Sequence, residues 1–166
     1  MAKEFKDPAA LAAHLKKAMD AQLAETLITI QSELGSTKVS PVDTGRFRAS
    51  WFASEGSPSS EVPPEADAKA VGQLRRRRAK AAEKNGGEEK RGRGLGSYSP
   101  NTDAVNLQVD SSKTYYLTNN LPYAQAVAIE GKVVSQPTTW FTDFLNSRVP
   151  KIADTAAKVT KAAFDL

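Results

Sequence analysis

Pro41-Val42-Asp43-Thr44-Gly45-Arg46-Phe47-Arg48-Ala49-Ser50-Trp51 is the stretch that decides how this chain folds. Asp43 and Thr44 can hydrogen-bond backbone groups one or two residues on, and Gly45 can take the positive φ that closes such a turn. From Phe47 to Ser54 the residues are aromatic or small, which suits a strand whose first part could still be a helical turn. The stretch therefore predicts a joint that delivers the chain from a helix into a strand.

Upstream of the joint, Leu11, Leu15, Met19, Leu23, Leu27, Ile30 and Leu34 recur at three- to four-residue spacing. That period predicts one long amphipathic helix, with Asp7 as N-cap, Pro8 at the first helical position and Gly35 as the C-prime stop. Downstream, Gly56-Ser57-Pro58-Ser59-Ser60 and Val62-Pro63-Pro64 break regular structure. Glu65 to Lys84 are strong helix formers with little apolar surface beyond Val71 and Leu74, so a helix there would face solvent or be ordered by a partner. Residues 85–97, rich in Gly, Glu, Lys and Arg, are expected to be mobile.

Order is expected to resume at residue 104. Ala104-Val105-Asn106-Leu107-Gln108-Val109 alternates as a half-buried strand does, and Lys113 to Thr118 reads as a second strand after the Asp110-Ser111-Ser112 turn. Asn119-Asn120 and Leu121-Pro122 end it. Tyr123 to Glu130 fits a short helix with Ala124, Val127 and Ala128 on one side and Gly131 as its stop. A last helical region opens at Pro137 with Thr138 or Thr139 as N-cap and an apolar face of Trp140, Phe141, Phe144 and Leu145. It continues through Ile152, Ala156, Val159, Ala163 and Phe164, and Pro150 should kink or break it. The fold class is α+β: a long N-terminal helix and a C-terminal helix packed on a small, mostly antiparallel sheet, with a basic flexible or helical insertion. We read residues 1–166 as a single domain, with its core in 8–54 and 104–165 and the insertion in 56–103.

Composition narrows the function. The 166 residues contain no cysteine, which excludes a disulfide scaffold, a thiolate nucleophile and a thiolate metal site. No apolar run approaches the about 20 residues of a membrane helix, and the N-terminal residues lack a signal-peptide core, so a soluble protein used without secretion is expected. The formal charge is +4, but residues 69–93 hold ten Lys or Arg against three Glu, and the remainder is slightly acidic.

No residue set points to catalysis. Asp43-Thr44-Gly45 matches the aspartic-protease triplet, yet its flanks are basic and end in Trp51. His14 lies beside Lys16 and Lys17 with no convergent partner, and reads as a surface or partly packed histidine. Gly92-Arg93-Gly94-Leu95-Gly96 lacks the Lys-Ser or Lys-Thr pair of a phosphate loop. Carboxylates are scattered singly, and the sequence implies no cofactor and no metal. Arg75, Arg76, Arg77, Arg78 and Lys80, with Arg91 and Arg93, make a strong local field that would attract DNA phosphate or an acidic partner, or would simply be solvated. Aromatics able to stack on bases are absent between Phe52 and Tyr98, so any DNA contact is expected to be electrostatic. Tyr115, Tyr116, Tyr123 and Trp140 are core or rim aromatics, or subunit-interface anchors.

Taken in order, Val42 to Arg48, Tyr116-Leu117-Thr118-Asn119-Asn120-Leu121-Pro122-Tyr123-Ala124, Glu130-Gly131 and Pro137 resemble the neck or tail-completion proteins of tailed bacteriophages. The resemblance covers residues 8–54 and 113–165 and leaves out the basic middle. Relatives usually follow the glutamate with an aromatic-Gly pair and a Pro-rich segment, whereas here Gly131 follows Glu130 at once. The resemblance implies a non-catalytic virion protein at the head-tail interface, assembled in the host cytoplasm. It implies a ring of identical subunits around the DNA channel, six copies preferred and twelve the alternative. Its partners would be itself, a head connector or portal-proximal protein, tail proteins and packaged DNA held non-specifically, with no membrane. Asp43, Thr44, Gly45, Arg46, Tyr116, Asn119, Asn120, Tyr123, Glu130 and Trp140 would then serve the structural turn and the subunit interfaces. The alternatives are a small basic DNA-binding protein acting in the cell, or a tail-terminator or tail-tube protein of related fold.

Overall fold

The computed structural model describes residues 7–36, 39–40, 46–62, 101–130 and 137–165. Helix α1 spans Pro8–Leu34, and it starts as its sequence dictates: the Asp7 side chain accepts the Ala9 N–H at 3.0 Å and Pro8 occupies the first turn. It also stops where expected, at Gly35. Gly35 follows the last helical residue, but with φ −73° it stays right-handed, and its N–H bonds the Gln31 carbonyl at 2.9 Å. The fully buried Ser40 hydroxyl donates to the Leu34 carbonyl. A side chain six residues on satisfies that orphan carbonyl, so no left-handed glycine is needed.

One helical turn, α2 (Arg46–Ala49), leads into β1 (Trp51–Glu55), matching the predicted helical turn ahead of a strand. β1 pairs antiparallel with β2 (Tyr115–Asn119), Trp51 opposite Asn119 and Glu55 opposite Tyr115. Beyond β1 the chain turns at Gly56, whose φ of +76° is left-handed and whose N–H donates to the Thr114 carbonyl at 2.9 Å.

The expected strand over residues 104–109 is absent. Asp103–Asn106 forms a 3₁₀ turn instead, and residues 107–109 after it join no ladder. The reason lies at the edge of β1. The Ala53 N–H, which a third strand would need, donates to the Asp103 carboxylate at 3.1 and 3.2 Å. Side chains fill the place where a strand would lie.

After β2 come α3 (Ala124–Ala128), α4 (Trp140–Asp143), a π-helical turn (Phe144–Arg148) and α5 (Val149–Phe164). Ala124 and Ala128 face the core as expected. Thr139 occupies the N-cap position of α4, yet its hydroxyl donates to Asp143 at 2.8 Å rather than capping a backbone N–H. Pro150 does not interrupt the helical run. The π turn changes the hydrogen-bond register just before it, and proline then sits in the first turn of α5, where its missing N–H has no partner to lose.

Helices α1 and α5 run antiparallel: His14 meets Phe164 at one end, and Glu33 meets Arg148 at the other. Leu34, Phe47, Trp51, Leu121, Ala124, Ala128, Trp140, Phe144 and Ile152 form the core. The apolar stripe of α1 therefore divides. Leu27 and Leu34 are buried, whereas Leu11, Leu15 and Met19 are 39%, 40% and 57% exposed. His14 contacts the last residue of α5, so Leu11 lies past the end of the partner helix. Leu145 and Val159 are also exposed, unlike the expected apolar face. The Asp43-Thr44-Gly45 turn, Gly131 and the expected elements within residues 63–100 lie outside the described residues.

Candidate functional site

Two stretches far apart in sequence meet at the α2–β1 joint. Phe47 packs edge-on to Trp51 and Trp140, with ring centroids 5.8 and 6.1 Å away, and Trp51 stacks on Phe141 at 5.8 Å. The Asn119 side-chain amide donates to the Phe47 carbonyl at 2.9 Å, tying the end of β2 to α2. Its carbonyl oxygen accepts the Leu121 N–H at 3.4 Å. Asn120 works on a different segment: its amide donates to the carbonyls of Ser59 at 2.5 Å and Glu61 at 3.0 Å. The two asparagines thus do more than form a turn; each pins a separate piece of chain to the sheet.

The other candidate residues separate by environment. Arg46 opens α2 and is half-buried, Tyr116 is half-buried on β2 opposite Ser54, and Tyr123 and Glu130 are exposed at the two ends of α3. Trp140 takes the core place that the sequence offered as one reading: it is 6% exposed, and its indole N–H donates to the Val127 carbonyl at 3.0 Å. Trp51, equally buried, has no acceptor for its indole N–H, and the Arg48 Nε is likewise buried without one. An unmade buried hydrogen bond of this kind costs about 1–3 kcal/mol. Arg75 to Arg78, Lys80, Arg91 and Arg93, with Asp43, Thr44 and Gly45, lie outside the described residues.

A polar clamp went unread in the sequence. Gln31, 2% exposed, donates through its amide to the Trp51 carbonyl at 2.9 Å and to the Asp103 carboxylate, and accepts the Ala104 N–H at 2.9 Å. One side chain thereby joins α1, β1 and the 3₁₀ turn. Asn101 supports it, donating to Asp103 at 3.0 Å and accepting the Asp103 N–H at 3.2 Å. The available signal was a glutamine placed between Leu27 and Leu34 on the buried stripe of α1.

A second polar group holds the loop after the 3₁₀ turn. Lys16 bridges Asp20 at 2.9 Å and Asp110 at 3.0 Å, while the Ser111 N–H donates to Asp20 at 2.7 Å. Hydrogen bonds from Ser111 and then Lys16 hold the Asp20 carboxyl below its usual range; those from Ser112 and then Lys16 do the same for Asp110. The two carboxylates raise the pKa of Lys16 in turn. Lys113 pairs with Glu55 across the far end of the sheet, and this partner raises its pKa as well. His14 donates from Nε2 to the Phe164 carbonyl at 2.9 Å and packs edge-on to the Phe164 ring, so it is partly packed, as read.

Among the described residues, no group of three His, Asp or Glu is placed to hold a metal, and no helix is long and apolar enough to cross a membrane. Comparison with protein-family models, with curated proteins and with solved structures finds no match.

Proposed function

We propose that this chain is a structural virion protein that joins the head connector to the tail of a bacteriophage, as a ring of identical subunits around the DNA channel. One observation carries the reading. Of the segments that bear the resemblance, the described part of the first, Arg46 to Arg48, and the second, Tyr116 to Ala124, are separated by more than sixty residues yet converge on one joint through the Asn119–Phe47 bond. Motifs that meet in space as one structural unit fit a scaffold role, and the side chains that tie the joint together, Phe47, Trp51, Trp140, Phe141 and Asn119, are aromatic and amide. On this reading the chain has no catalytic activity and no cofactor.

The described residues on either side of the basic segment fit the same role: Ser59 and Glu61 are held by Asn120, and Asn101 and Asp103 are held against β1. Charge delivered from a fixed base would contact passing DNA through phosphates without reading bases. Electron microscopy of the virion is expected to place the protein in a ring at the neck. Its presence in the capsid shell, or absence from the virion, would overturn the proposal.

The charge of residues 69–93 also motivates a second reading, a small DNA-binding protein acting in the cell. Binding measured against salt separates the two. A channel lining should bind weakly and lose affinity steeply with salt, whereas sequence-selective binding that survives moderate salt would favour the regulator.

A further inference from the structure

The two edges of the sheet are treated differently. The register, together with the Gly56 N–H bonded to the Thr114 carbonyl, makes Phe52–Thr118 and Ser54–Tyr116 the pairs that exchange backbone hydrogen bonds. Trp51 and Ala53 of β1 therefore point outward on one side, and Tyr115, Leu117 and Asn119 of β2 point outward on the other. On β1 the outward Trp51 carbonyl is taken by Gln31 and the outward Ala53 N–H by Asp103. That edge is closed to any further strand.

On β2 the outward backbone N–H and C=O groups of Tyr115, Leu117 and Asn119 have no hydrogen-bond partner among the described residues. The chain at 59–61 reaches β2 only through the side chains of Thr118 and Asn120. Tyr115-Tyr116-Leu117-Thr118-Asn119 has high β-propensity and no charge, proline or glycine, so it lacks the usual devices that blunt an open edge. The chain also carries a strand-like segment without a strand to join. Leu107 leaves the 3₁₀ turn with extended backbone, and among the described residues the N–H groups of Gln108 and Val109 and the carbonyls of Leu107 and Val109 have no hydrogen-bond partner, while the Gln108 carbonyl accepts from the Tyr115 hydroxyl at 3.4 Å.

We infer that the open edge of β2 accepts the Leu107–Val109 segment of a second copy of this chain, extending the sheet from one subunit into the next. The occupant rests on the ring reading above, because donor and acceptor are different surfaces and their pairing is head-to-tail, the kind of contact that closes rings. Backbone hydrogen bonds would supply the affinity, with Leu107 and Val109 on one face of the added strand and Gln108 on the other.

The chain's lack of cysteine makes the test direct. Leu117→Cys and Gln108→Cys proteins, oxidised separately and as a mixture, are expected to give a disulfide-linked dimer in the mixture and little in either alone. Cross-linking of Leu117→Cys with itself would instead mean β2 pairing with β2, and would overturn the assignment, as would no cross-link at all. Leu117→Pro removes an outward N–H and no hydrogen bond between β1 and β2, so it is expected to keep a cooperative unfolding transition while weakening self-association at least tenfold by sedimentation. Unchanged self-association in that variant would overturn the inference while leaving the neck assignment intact. Head-to-tail cross-linking by a protein absent from the virion neck would do the reverse.

Discussion

The sheet is held at the α2–β1 joint by aromatic rings and along the edge of β1 by one amide and one carboxylate. At the joint, Phe47, Trp51, Trp140 and Phe141 share contacts, and each ring touches two others. At the edge, Gln31 carries three connections alone. The difference teaches how each region tolerates damage. Apolar packing is lost in proportion to the volume removed, whereas a buried polar clamp fails as a unit, because every partner it served is left unpaired.

The largest expected effect comes from breaking the joint. Phe47→Ala should destabilise the fold by about 3–5 kcal/mol, read as a lower midpoint in denaturant with an unchanged slope. Gln31→Leu tests the other side: it keeps the volume but strands the Trp51 carbonyl and the Ala104 N–H and takes one of its donors from Asp103, and about 2–3 kcal/mol should be lost. Hydrogen exchange should then quicken at Ala53 and Ala104 before the rest of the sheet. A smaller contrast lies within the joint. Trp140→Phe gives up a bonded indole N–H and should cost more than Trp51→Phe, which removes a donor that has no acceptor. Equal losses in thermal scans of the two variants would break that argument.

The smallest effect is expected outside both regions, at the exposed Lys16–Asp20–Asp110 group. Asp20 and Asp110 have folded pKa values below their ordinary ones, so their contribution is complete above about pH 4 and is lost as pH falls through the depressed values. Lys16, whose pKa is raised, contributes fully below its ordinary value of about 10.4 and loses that contribution as pH rises through the folded value. Asp110→Asn should therefore flatten the acid limb of stability against pH. Screening by salt should shrink the difference between variant and parent.

The helices and the joint were legible because their signals are local: the period of α1, the Asp7-Pro8 start and the aromatic run after Arg46. The edge of β1 was not. Val105, Leu107 and Val109 alternate like a strand, but whether an alternating segment finds a ladder depends on what already occupies the neighbouring edge. Asp103 and Gln31 occupy it from positions 50 residues downstream and 20 residues upstream of the strand atoms they hold. The exposure of Leu11 was hidden for a similar reason. Periodicity shows which face of a helix is apolar, but not how far along it a partner helix extends. For the candidate site, Asn119 and Asn120 were read as turn residues, and only the tertiary contacts reveal which carbonyl each one holds.

His14 and Phe164, 150 positions apart, are joined by a hydrogen bond. Topologically this makes the body almost a closed circle, and a circle can be opened elsewhere. A short linker from the end of α5 back to the start of α1, with new termini placed between Val62 and Asn101, would give a permuted protein. In it the present ends would become an internal turn, and the basic segment would become two tails.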